Sequence, residues 1–92
     1  MPRFLIEVKH EDRKSACDSA VRTFLETGSH FLANADWGCG DGEHKAWFVA
    51  ELGSRDEALA ALPPHLRPQA RVIALQKFTM QDVAAARGRH HD

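Results

Sequence analysis

The apolar period of this chain switches from 2 to 3.6 and back twice between residues 3 and 78. Few single-domain folds accommodate that order. In residues 3–9, Phe4, Ile6 and Val8 alternate with Leu5, Glu7 and Lys9, the period of a strand. Asp12 then offers an N-cap, and Ala16, Cys17, Ala20, Val21, Phe24 and Leu25 share one helical stripe. Gly28 stands where that helix needs a left-handed residue to stop. Two extended stretches follow, His30 to Trp37 and His44 to Leu52. Between them, Gly38-Cys39-Gly40-Asp41-Gly42 spells a hairpin connection with a bulge. Ser54 and Glu57 have the spacing of a capping box. Ala58, Leu59, Ala61 and Leu62 form the buried side of the short helix it opens, and Pro63-Pro64 ends it. Residues 71–78 read as the last strand, and Thr79 caps a terminal helix from about Met80 to Arg87.

The order β-α-β-β-α-β predicts an α+β fold, the ferredoxin-like sandwich. Its four-stranded antiparallel sheet carries two helices on one face, with a short C-terminal helix added. One domain is expected over 1–88, with a polar tail at 89–92. Twenty Leu, Ile, Val and Phe among 92 residues suffice for one modest core. No apolar run suits a membrane span, and Phe4-Leu5-Ile6 is too short for a signal peptide. Two cysteines suit a reducing compartment, so the expected location is cytoplasmic. Eight Arg against four Lys, with fourteen Ala, is the composition of a GC-rich genome.

Alternation places Phe4, Ile6 and Val8 toward the helices, together with Phe31, Ala33, Ala35, Ala46, Phe48 and Ala50. The opposite face then carries Leu5, Glu7, Lys9, His30, Leu32, Asn34, Asp36, Lys45, Trp47, Val49 and Glu51. For the last strand, either Ile73, Leu75 and Lys77 or Val72, Ala74 and Gln76 join that face. Such a mixed face fits a homodimer with a central cavity, or a ligand cleft under the terminal helix. Nucleic acid is not an expected partner: the net charge is −1, and Glu7, Asp36 and Glu51 surround Trp47.

In element order, residues 3–79 resemble the dimeric α/β-barrel superfamily, which includes muconolactone isomerases, YCII-like proteins and small monooxygenases. The most specific part is the helix running into Leu62-Pro63, a connector, and a strand ending near Phe78. The Asp-Trp-Gly-Cys-x-Asp-Gly-Glu-His-Lys-Ala-Trp hairpin, Asp36 to Trp47, is similar to that of a group of small bacterial proteins. Neither resemblance transfers a catalytic residue to a numbered position.

The leading expectation is a small-molecule site on the open face, with Leu32, Asn34, Trp47 and Glu51 as contacts and no cofactor. A small isomerase or lyase is the first alternative. His30 would be its base and Glu7 or Asp36 its carboxylate. His30 and Asp36 lie roughly 20 Å apart along one strand, so each needs a cross-strand partner. In that case Asp36 would pin the turn through its amides. A metal-responsive hairpin is the second alternative, with Cys39, Asp41 and His44 as ligands beside Glu43. The spacing Asp36-x2-Cys39-x-Asp41-x2-His44 matches no standard zinc pattern, so no metal is assigned. Cys39 as a reactive thiol is opposed by Asp36, Asp41 and Glu43. Cys17 reads as a small core residue. His10, His65 and the His90-His91-Asp92 tail receive no role.

Overall fold

The computed structural model describes residues 1–86. Strand β1 (Arg3–Lys9) leads to helix α1 (Lys14–Glu26), a single turn α2 (His30–Ala33) and a two-residue strand β2 (Asp36–Trp37). Strand β3 (Lys45–Glu51), helix α3 (Arg55–Ala60), strand β4 (Ala70–Leu75) and helix α4 (Met80–Ala86) follow. Two 3-10 turns, Cys39–Asp41 and Pro64–Gln69, make the connections into β3 and β4. The result is an α+β chain with one antiparallel sheet in the order β2-β3-β1-β4. Among the described residues, no helix is long and apolar enough to cross a membrane. The expected boundary at 88 and the tail at 89–92, with His90 and His91, lie outside the described residues.

The central strand decides which face is buried. Phe4, Ile6 and Val8 of β1 point to the same side as Ala46, Phe48 and Ala50 of β3. Phe24 of α1, Leu32 of α2, Ala58 of α3, Leu62 and Leu66 complete that core. The small side chains of Ala46 and Ala50 leave room for the Phe24 and Phe48 rings, whose centroids are 6.4 Å apart. On the other face, register brings together Leu5, Val49 and Ile73, and beside them Glu7, Trp47 and Arg71. Leu75 stands opposite Arg3 there, so Ile73 and Leu75 are the open-face residues of β4. Lys77 lies beyond the strand. Met80 and Val83 of α4 are exposed.

The expected strand from His30 to Trp37 is replaced, over most of its length, by α2. Ser29 caps this turn by accepting from the Leu32 amide, and Asn34 donates back to the His30 carbonyl. One helical turn buries Leu32 fully and stacks Phe31 on Phe48, with ring centroids 6.5 Å apart. An extended segment would have sent Leu32 to the open face, away from that core. The local caps and the core agree on a helix, and they override the alternation.

Helix ends follow the sequence more closely. Gly28 has φ +76 at the end of α1. Ser54 accepts from the Glu57 amide at 3.1 Å, and Glu57 accepts from the Gly53 amide at 2.8 Å. Thr79 and Asp82 make the equivalent exchange at the start of α4. Asp12 is not the cap of α1: Arg13 holds that position without a side-chain bond. Asp12 is engaged elsewhere.

Candidate metal centre

The β1–β3 ladder continues one step past its last paired residues. Lys9 faces Lys45, and the His10 amide then donates to the His44 carbonyl at 3.0 Å. Alternation turns both His10 and His44 to the helix-bearing face, in line with Val8 and Ala46. Their rings meet edge-on with centroids 5.5 Å apart. Cys17 approaches the same place from α1. The 3-10 turn brings Cys39 in from the other side, and the two sulfurs lie 2.6 Å apart. His10 Nε2 is 3.0 Å from Cys39 Sγ. Ligand atoms of His10, Cys39 and His44 all lie within 4.8 Å of one another.

The turn that delivers Cys39 is built on Gly38. Its carbonyl accepts from the Asp41 amide at 3.0 Å and the Glu43 amide at 2.9 Å. A Cβ at position 38 would sit 2.7 Å from the Glu43 carbonyl oxygen and 2.8 Å from the Trp47 ring. Only glycine allows that approach. Gly42, at φ +82, closes the turn by donating to the Cys39 carbonyl. The pinning role expected of Asp36 therefore belongs to a backbone carbonyl.

Each histidine is held at one nitrogen and left available at the other. His10 Nδ1 donates to the Glu11 carbonyl at 2.9 Å, which leaves Nε2 with its lone pair toward Cys39. His44 Nε2 is paired with the Asp12 carboxylate at 2.7 Å. His44 Nδ1 is buried and has no hydrogen-bond partner. A buried unsatisfied nitrogen costs about 1–3 kcal/mol. The pattern is that of metal-bound histidines, whose second nitrogen is oriented by a carbonyl or carboxylate. Trp37 roofs the cluster, packing on Phe24 and His10 at centroid distances of 4.9 and 6.0 Å. The Cys17 thiol is pushed up to about 11, first by its hydrogen bond to Cys39 and then by burial.

The sequence-expected residues fall into three groups. Cys39 and His44 enter the cluster, whereas Asp41 and Glu43 are exposed turn residues. Trp47, Glu51 and Glu7 lie on the open face, where Trp47 Nε1 donates to Glu7 at 3.1 Å and Lys45 stands 3.6 Å from the same carboxylate. Asp36 is exposed and pairs in register with Trp47. His30 and Leu32 belong to α2 and Asn34 caps its end, so no His30–Glu7 or His30–Asp36 dyad forms across the sheet. Leu32 is a core residue, not an open-face contact. His10, unassigned from the sequence, completes the cluster, and Cys17, read as a core residue, touches it through the Cys39 sulfur. Comparison with protein families, with curated proteins and with solved structures finds no match.

Proposed function

We propose that this protein is a small metal-binding module in which His10, Cys17, Cys39 and His44 hold one zinc-type ion. The observation that carries this reading is the buried, unpartnered Nδ1 of His44, with Nε2 of the same ring fixed by Asp12. Two thiolates and two imidazoles are a preferred donor set for zinc. At zinc–sulfur bonds of ~2.3 Å, a tetrahedral site places its sulfurs roughly 3.8 Å apart, so the two cysteines part by about 1 Å on binding. Four protein ligands leave no position for water. The ion then contributes folding free energy and couples structure to metal supply, without activating a nucleophile.

The strand order and the single buried face support the ferredoxin-like architecture for this module, with the metal at one end of the sheet. Leu5, Trp47, Val49, Ile73 and Leu75 on the uncovered face support a homodimer. Two free thiols suit a cytoplasmic location.

Small-molecule binding is a second reading, and a groove of about 310 Å³ favours it. It lies against α1, lined by His10, Arg13, Ser15, Thr23, His65 and Gln69, rather than on the open face.

Zinc titration of the reduced full chain, in competition with a chromophoric chelator, tests the leading proposal. One ion per chain is expected, with its uptake lost in Cys39→Ser and His44→Ala. No stoichiometric uptake by the wild type would reject the metal centre.

A further inference from the structure

Cys17 and Cys39 are free thiols on different elements, 22 positions apart in sequence, yet their sulfurs are 2.6 Å apart. We propose that they form a reversible thiol–disulfide couple, oxidised by hydroperoxides, whose closure withdraws both sulfur ligands from the metal centre. The couple rests on sulfur geometry alone; its effect on the ion rests on the metal-centre reading above.

The separation lies between two bonded states. A disulfide needs 2.03–2.05 Å and a zinc dithiolate roughly 3.8 Å. Small movements in opposite directions reach either one, and the mobile partner is evident. Cys17 is held in the first turn of α1, whereas Cys39 begins a short turn next to Gly40, around which a Cβ would meet nothing within 4 Å. Cys39 is also half-buried rather than enclosed, so a small peroxide reaches it.

The chemistry balances with a hydroperoxide as oxidant. Cys39 Sγ attacks one peroxide oxygen and the O–O bond breaks. A sulfenic acid forms, and the departing hydroxide leaves as water with the thiol proton. His10 Nε2, 3.0 Å from that sulfur, is placed to relay the proton. Cys17 Sγ then attacks Cys39 Sγ and the S–O bond breaks. The second hydroxide leaves as water with the Cys17 proton. In total two thiols lose two electrons and two protons, and hydrogen peroxide becomes two waters. A disulfide offers no thiolate, so a bound ion is left with two imidazoles.

The test treats reduced, metal-free full chain with stoichiometric hydrogen peroxide and reads intact mass and free thiols. The expected product is a monomeric chain lighter by two hydrogens, with no free thiol, restored by a dithiol reductant. Cys17→Ser is expected to gain oxygen instead. Wild-type chain that gains oxygen without losing hydrogen, or that cross-links only between chains, overturns the couple. In a second arm, zinc-loaded chain is oxidised beside a chromophoric chelator, with one ion released per disulfide formed. Disulfide formation in a chain that never takes up zinc supports the couple and rejects the metal centre. Zinc that stays bound after oxidation overturns this inference and leaves the metal centre standing.

Discussion

Asp12 precedes α1 and pairs with Nε2 of His44, the ring whose other nitrogen is buried without a partner. Its carboxylate is largely exposed, so its contribution is to orientation and ligand basicity more than to burial. Asp12→Ala is expected to weaken zinc affinity about 10–100-fold, the usual cost of removing such an orienting group. Chelator competition measures it, and unchanged affinity would remove Asp12 from the site. Cys17 gives a second test. Its folded-state thiol is raised from 9.0 to about 11, so the fold favours the neutral form. The unfolded chain gives up that proton at lower pH. The contribution is therefore complete below pH 9.0 and is lost as pH rises toward about 11. Denaturant midpoints of reduced, metal-free chain should fall across that window, with a shallower fall in Cys17→Ser; equal slopes would contradict this.

Cys17 also shows where the sequence was legible and where it stopped. The helical stripe places it correctly on the buried side of α1, and β1 alternation extended by one residue turns His10 the same way. What the sequence does not print is the register that sets His10 opposite His44, nor the tight turn that lands Cys39 between them. Candidate ligands split between the ends of β1 and β3, α1 and a turn have no consecutive spacing to read.

Among the elements, β1, β3 and α3 were legible because period and caps agree. For residues 30–37 they conflict: alternation says strand, while Ser29 and the need to bury Leu32 say helix. The tertiary term wins, and it carries His30, Leu32 and Asn34 off the open face. Two substitutions test the element-level account. Ser54→Ala removes the cap on α3 and should cost roughly 1 kcal/mol of stability, read as a shifted unfolding midpoint. Gly38→Ala forces a Cβ against the Glu43 carbonyl and the Trp47 ring. It should displace the Cys39 turn and lower zinc affinity more than it lowers the melting temperature of the metal-free chain. The reverse ranking would separate that turn from the site.

At the scale of the whole molecule, one face of the sheet is packed and, among the described residues, the other is not. Val49 is 52% exposed at the centre of the uncovered face, beside Leu5 and Trp47. Association through that face should appear in sedimentation as a species heavier than the 10.3 kDa chain, and Trp47→Glu should shift it toward monomer. A wild type that stays monomeric at micromolar concentration would leave the face as plain surface. The sheet's other feature is the end proposed to hold a metal, where the ends of β1 and β3, α1 and the Cys39 turn converge. X-ray absorption at the zinc edge of the loaded chain tests that claim most directly. The account predicts two sulfurs at ~2.3 Å and two imidazole nitrogens at ~2.0–2.1 Å. A shell of oxygens or nitrogens without sulfur would contradict it.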